Sequence, residues 1–246
     1  MMDYDGTLAP IVNDPAVAWP LPEARKALMA LASRPDLIDL AVVSGRNLIE
    51  LRRLLNLDRG LYLIGVHGLE MANPDGKVEI LPDLQAAMID LAEVRRWLRN
   101  IPNETGLIVE DKVLSLALHY RNADLVSARS IVAEFESFVA GFASRLAIKR
   151  GKKVIEAVPL AANKGAAVTR LIELTGNSAI PIYLGDDVTD EDAFRALAGR
   201  GVTILVGEAR ESAAQYRVDS PAEVARLLAE LVAPVDSRGA PVDRQD

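Results

Sequence analysis

The chain has 246 residues, half of them hydrophobic and 26% charged, with no cysteine, two histidines and a formal net charge of -7. That length and apolar content suit one large domain or two small ones with a substantial core, and they exclude a disordered chain. The cysteine count excludes a disulfide scaffold, a zinc-thiolate site and a thiol nucleophile, and the acidic balance argues against nucleic acid as a partner, leaving a small molecule.

Asp3-Tyr4-Asp5-Gly6-Thr7-Leu8 opens the chain. Two carboxylates two residues apart share one face of an extended backbone, and Gly6 permits the sharp turn that follows. Only Met1 and Met2 precede this motif, so the strand expected to carry it is short. Glu23 to Ser33 has helical periodicity, and Leu37 to Ser44 reads as a buried strand whose end, Ser44-Gly45-Arg46, begins a helix. A hydroxyl and free backbone N–H groups at that position suit a phosphate oxygen, although a serine that merely caps the helix reads the same way. Leu61 to Val66 is a further strand, followed by His67-Gly68-Leu69-Glu70. Asn73-Pro74-Asp75-Gly76 and then Pro82 mark a boundary, with Pro159 on the return.

Between these marks the pattern changes. Leu84 to Arg99 and Asp124 to Phe142 are amphipathic helices, whereas Gly106 to Glu110, Leu114 to Arg121, Arg145 to Lys149 and Lys153 to Val158 read as strands. Several of them alternate polar and apolar residues, which predicts an antiparallel sheet with one wet face. Gly151, among Lys149, Arg150, Lys152 and Lys153, predicts a hairpin. The α/β pattern then resumes, with a helix over Lys164 to Leu174 and strands over Ile180 to Gly185 and Val202 to Val206. The expected organisation is a parallel-sheet core from 1–82 and 160–233, an inserted α+β domain over 83–159, and a disordered tail at 234–246. No apolar run is long enough for a membrane span and no leader is evident, so a cytoplasmic protein is expected.

The second acidic group is Gly185-Asp186-Asp187-Val188-Thr189-Asp190-Glu191-Asp192. Helix-start preference explains Asp190 to Asp192 but not Asp186 and Asp187, which sit where α/β sheets bind ligands. Such crowding is repulsive without a cation, and hard oxygen ligands select magnesium.

The order of an acidic pair, a serine after a strand, a lysine at a helix start and a Gly-Asp-Asp cluster resembles the haloacid dehalogenase superfamily of phosphatases. The fold class implied is α/β, a Rossmann-like parallel-sheet core with a smaller α+β cap. The resemblance implies that Asp3 is the nucleophile forming an aspartyl-phosphate and that Asp5 is the general acid and base. Ser44 and Lys164 would hold the phosphoryl group. Asp3, the Asp5 carbonyl and Asp186 would bind Mg²⁺, with Asp190 behind them.

Gly65-Val66-His67-Gly68-Leu69-Glu70, Val109-Glu110-Asp111-Lys112 with Ser115, and His119-Tyr120-Arg121 add a resemblance to the trehalose-6-phosphate phosphatases. That family implies trehalose 6-phosphate as substrate and a cap that reads the disaccharide. It nominates Glu110, Lys112 and Glu156, together with Arg46, His67, Glu70, His119, Arg121 and Asp187, as substrate contacts. A solvated strand face for Glu110 and Lys112, and a cross-strand hydrogen bond for His119, are the structural alternatives. The resemblance also implies a monomer or an association with a trehalose-phosphate synthase. Another sugar-phosphate phosphatase and a non-catalytic binding relict are the competing functions.

Overall fold

The computed structural model describes residues 1–12, 14–80, 84–101, 106–112, 114–121, 123–151, 153–176 and 179–237. It divides into two compact units, one from 1–79 and 163–246 and the other from 80–162.

The first unit is built on a sheet made of two halves. One half orders β1 (Ala41–Val43), β2 (Tyr62–Gly65), β3 (Glu70–Ala72) and β4 (Val78–Ile80). β1 and β2 are parallel, and β2 and β3 antiparallel. The other half is parallel: β9 (Ile182–Gly185), β10 (Val202–Val206) and β11 (Tyr216–Val218). The first residues of the chain join the halves. Met2 bridges Val42 on one side and Leu184 on the other, both in parallel. The Met1 nitrogen donates to Ile182 O at 2.9 Å, and Asp3 N donates to Leu184 O at 2.9 Å.

Side chains alternate across this sheet into two apolar layers, as expected for strands covered on both faces. Val42, Leu63 and Leu184 join α1 (Pro22–Ala32) and α7 (Pro221–Ser237) through Leu28, Leu31, Val224 and Leu228. Ala41, Val43, Ile64 and Tyr183 face α5 (Lys164–Thr175) and α6 (Glu191–Ala196) through Val168, Leu171 and Phe194. Pro22 opens α1 at a position that needs no N–H, and Ala24, Ala27, Leu28 and Leu31 form its buried stripe. α2 (Leu48–Leu55) is capped by Asn47, whose side chain accepts from Glu50 N at 2.9 Å.

Four expectations change. The 37–44 strand begins at Ala41, because the N–H groups of Leu37 and Ile38 are taken by Arg34 O in a turn after α1. The Asn73–Gly76 segment is a hairpin turn between β3 and β4 rather than a domain boundary. Asn73 Oδ1 accepts from Asp75 N and Lys77 N, and Gly76 takes a φ of +84°. The return boundary falls after Ala162 instead of at Pro159. Pro159 ends β8 (Val154–Pro159), and hydrogen bonds from Leu160 N to Arg145 O and from Ala162 N to Pro159 O tie the next residues to the second unit. Finally, α7 runs through Ser237, so the 234–237 part of the expected tail is helical. A helix anchored by Val224, Ala225 and Leu228 continues past Pro234 at the loss of one N–H donor. The remainder, 238–246, and Pro82 lie outside the described residues.

The second unit is an antiparallel sheet in the order β5 (Ile108–Asp111), β6 (Leu116–His119), β8 and β7 (Leu146–Gly151). One face packs on α3 (Leu84–Leu98) and α4 (Leu125–Ala140), where Leu116, Leu118, Ile155 and Ala157 meet Leu91, Val94 and Phe135. Trp97 stacks on Phe138 at 5.6 Å between ring centroids. Buried Asp90 receives a two-pronged ion pair from Arg145. Gly151 pairs with Val154 at the closed end of the β7–β8 hairpin. Among the described residues, no helix is long and apolar enough to cross a membrane.

Leu28 is fully buried between the sheet and α7. Leu28→Ala is expected to cost about 2–5 kcal/mol, read as a lower urea midpoint.

Candidate active site

Asp3 leaves the join between the half-sheets at the carboxyl end of its parallel neighbours. Tyr4 points into the core and donates its hydroxyl to Ala18 O at 2.7 Å, which anchors the residue between the two acids. Gly6, at φ +77°, then turns the chain. A Cβ there would lie 2.0 Å from Asp186 Oδ2, so this position requires glycine for both conformation and space. Asp5 is held by a fork: Arg46 Nε and Nη2 each donate to one of its oxygens at 2.7 Å. The same guanidinium lies 5.4 Å from the Tyr4 ring centroid.

Ser44 follows β1 and is buried, and its Oγ accepts from Arg46 N at 3.1 Å. The chain after β2 returns to this corner. Val66 and His67 both have positive φ, 47° and 53°, a conformation that costs a β-branched residue such as Val66 on the order of 1–3 kcal/mol. Hydrogen bonds from Val66 N to Arg46 O and from His67 N to Ser44 O hold it. The His67 ring lies against Gly45, where a Cβ would come within 2.8 Å. Glu70 is engaged locally: its Oε2 accepts from Leu48 N at 2.9 Å, at the start of α2.

Lys164 begins α5 and is buried at 2% exposure, although a helix-start lysine reads by default as a solvated one. Its Nζ sits 2.9 Å from Asp3 Oδ1 and 2.7 Å from Asp190 Oδ1. Asn163 caps the helix by accepting from Ala166 N, and Gly165 lets α5 approach the Asp192 carbonyl closely. Burial disfavours the ammonium, but Asp3 and Asp190 outweigh it and hold the Lys164 pKa above its ordinary value.

Asp190 has both oxygens occupied. Oδ1 accepts from Lys164 and from the Tyr183 hydroxyl at 2.7 Å, and Oδ2 accepts from Asp186 N and Asp187 N at 3.0 Å each. Gly185 makes room for it, since a Cβ there would lie 2.3 Å from Asp190 Cγ. Asp187 is exposed and caps the short turn Val188–Asp190, accepting from Val188 N. Arg210, from the loop after β10, donates to the Asp186 and Asp187 carbonyls and to Glu191.

Asp3, Asp186 and Asp190 each offer an oxygen within 4.8 Å of the others. Three carboxylates against one ammonium leave an excess of two negative charges, the amount one divalent cation balances. Asp186 Oδ1 is buried with no hydrogen-bond partner among the described residues, a state expected of an oxygen whose partner is a cation. Burial, then Asp190, push the Asp186 pKa up to about 6 against the pull of Lys164. Burial also carries Asp3 well above the usual carboxylate range, with Lys164 opposing. The hard oxygen donors therefore fit a divalent metal.

The second unit gathers a separate set. Glu110, Ala117 and Glu156 lie in cross-strand register on the face opposite the apolar layer. Lys112 Nζ is 3.3 Å from Glu156 Oε1 and 3.9 Å from Glu110 Oε2, and Ser115 Oγ donates to Glu156 Oε1 at 2.5 Å. His119 Nε2 is 2.8 Å from Glu110 Oε2, and Arg121 is exposed just beyond β6. Sequence reasoning missed Tyr183, Arg210 and Glu191. A tyrosine inside the apolar run Ile182-Tyr183-Leu184 signals a buried hydroxyl needing a partner, whereas no spacing marks Arg210.

A parallel sheet that collects Asp3, Asp5, Ser44, Lys164 and Asp186 at one edge has the fold of the haloacid dehalogenase-like hydrolases. The model of the trehalose-phosphatase family matches residues 1–222, and the chain belongs to that family. It is 39% identical over 241 residues to a trehalose-phosphate phosphatase of Mycobacterium bovis, covering 92% of this chain and 59% of that protein. It is 38% identical over 243 residues to an uncharacterized glycosyl hydrolase of Mycobacterium tuberculosis, covering 94% of this chain and 18% of that one. The chain thus spans less than two thirds of the length of these relatives. The structure of Aspergillus fumigatus trehalose-6-phosphate phosphatase superposes with a TM-score of 0.70 at 29% identity, covering 95% of this chain and 92% of that one.

For Asp186 the raised folded pKa means that the metal-free protein loses stability as pH rises from about 4 through about 6, since the folded state binds the extra proton. Asp186→Asn is therefore expected to stabilise the metal-free protein at pH 7 by on the order of 1–3 kcal/mol. The gap closes near pH 4 in urea titrations.

Proposed function

We propose that this chain hydrolyses trehalose 6-phosphate to trehalose and phosphate, through an aspartyl-phosphate on Asp3. The observation that carries the reading is the buried Asp3–Lys164–Asp190 ion cluster beside the orphaned Asp186 oxygen, in a chain of the trehalose-phosphatase family. A carboxylate is repelled by a phosphate dianion, and Lys164, 2.9 Å from Asp3, offsets that repulsion. An Asp3 oxygen forms the bond to phosphorus while the bond from phosphorus to the sugar oxygen breaks. Asp5 gives the leaving oxygen its proton, then takes one from the water that attacks phosphorus and frees Asp3. Because both Asp5 oxygens accept from Arg46, this fork opens and Asp5 takes up a proton from solvent before it donates, and the substrate phosphate is the competing anion for the guanidinium. Ser44 supplies a hydroxyl to a phosphoryl oxygen. A Mg²⁺ ion held by Asp3, Asp186 and the Asp5 carbonyl would supply the remaining charge neutralisation. Asp190, with all its donors in place, orients Lys164 and the acid loop, residues 186–190.

The disaccharide is uncharged and covered in hydroxyls, so its recognition needs mixed donors and acceptors. The polar face of the inserted unit, with Glu110, Lys112, Ser115, His119 and Glu156, has that chemistry and is the part of the protein we assign to the sugar. The absence of cysteine suits the reducing cytoplasm.

The test is phosphate release from trehalose 6-phosphate, compared with glucose 6-phosphate and sucrose 6-phosphate at millimolar Mg²⁺. A preference for trehalose 6-phosphate is expected, and equal turnover of all three would sink the substrate assignment. Asp3→Asn is expected to abolish turnover while sugar-phosphate binding persists in calorimetry. Lys112→Ala is expected to raise KM for trehalose 6-phosphate about tenfold, the worth of one charged hydrogen bond, and to leave a small aryl phosphate unaffected. Equal losses on both substrates would make Lys112 structural.

A further inference from the structure

The acid loop is gripped from two sides. On one side, Asp190 Oδ2 accepts from Asp186 N and Asp187 N, both at 3.0 Å. On the other, Arg210 Nη2 donates to Asp187 O at 3.0 Å and to Asp186 O at 3.3 Å. The peptide plane joining Asp186 to Asp187 thus has its N–H held by Asp190 and its carbonyl held by Arg210. Rotating that plane would swing the Asp186 carboxylate, and both edges resist it. Arg210 is itself fixed: Nη1 donates to Glu191 Oε1 at 2.8 Å, and the other oxygen of that buried glutamate accepts from Ala213 N at 2.8 Å. The loop after β10 is thereby tied to the loop after β9.

Electrostatics makes such a grip necessary. Asp3, Asp186 and Asp190 repel one another, and Lys164 contacts Asp3 and Asp190 while Asp186 has no such contact. Left to itself, Asp186 relaxes by turning its carboxylate towards water. Gly6, with no Cβ, leaves the carboxylate its place, and only a restraint on the backbone stops the loop from withdrawing as a whole.

We infer that Arg210 is a positioning residue that presets the Asp186 loop for the divalent cation by clasping two consecutive carbonyls while Glu191 holds the guanidinium. The inference rests on the reading of the Asp3–Asp186 cluster as the cation site. A guanidinium suits the task and an ammonium does not, because the planar fork reaches the two carbonyls and the carboxylate together.

The experiment is calorimetric titration of Mg²⁺ into metal-free protein without substrate, for wild type, Arg210→Ala, Arg210→Lys and Arg25→Ala. Arg25 is the control, because its Nε makes the same kind of bond, to Leu55 O at 3.0 Å, at the end of α2. Arg210→Ala is expected to weaken Mg²⁺ binding about tenfold, as loss of an outer-shell partner does. Arg210→Lys should fall between it and wild type. The Mg²⁺ concentration for half-maximal turnover should rise by the same factor, with KM for the sugar phosphate at saturating Mg²⁺ unchanged. Unaltered Mg²⁺ binding in Arg210→Ala overturns the inference, as does an equal loss in Arg25→Ala. If Arg210→Ala does not fold, Arg210→Lys and Glu191→Gln decide it, each with a loss of about threefold expected and none overturning it. A wild type that binds no Mg²⁺ overturns the cation site and the inference together, whereas binding that is insensitive to Arg210 overturns the inference alone.

Discussion

The ammonium of Lys164 is the charge on which this structure turns. It is withdrawn from water almost completely, and it remains charged only because Asp3 and Asp190 face it within 3 Å. Those carboxylates likewise remain buried only because it is there. Removing one partner from such a group leaves an uncompensated buried charge, which costs about 3–5 kcal/mol. The architecture around it follows from that demand. Asn163 starts α5 so that its first residue points inward, Gly165 lets the helix sit close to α6, and Tyr183 spends the only polar atom of its side chain on Asp190.

The same cluster is deliberately short of positive charge. A site balanced by lysine alone would be more stable and would have no affinity for a cation. Here the raised pKa values of Asp3 and Asp186 record the energy stored in the acids, and the strained Val66–His67 backbone adds to it. This is stability surrendered where a ligand can return it. The two-layer apolar core, with both faces of the sheet covered, carries that burden.

The parts legible in the sequence were those with a local signature. Asp3 and Asp5 stand two apart before a glycine, Ser44 and Asp186 each follow an apolar run, and the alternation in 106–121 marks a strand face that in the structure carries Glu110 and His119. The three-residue strands β3, β4 and β11 were not legible, because three residues show no period. Their turn, Asn73–Gly76, therefore passed for a boundary. Burial of Lys164 was invisible for a different reason. Its partners lie 161 and 26 positions away, and the helix-start lysine itself looks like any solvated one. Arg210 was silent on the same ground: its ligands are backbone carbonyls, which leave no mark on residue identity.

The join between the two half-sheets has a consequence for biosynthesis. Met1 and Ile182, hydrogen-bonded in the finished protein, are 181 positions apart. At roughly 5–20 residues per second, the ribosome delivers the second of them about 10–40 seconds after the first. The whole 80–162 unit emerges in that interval, with its hairpin-linked strands able to pair locally. The nascent chain meanwhile carries Asp3 with neither Lys164 nor Asp186 opposite it. The Asp3–Lys164–Asp190 ion cluster therefore forms only after β9 has emerged and closed on residues 1–3.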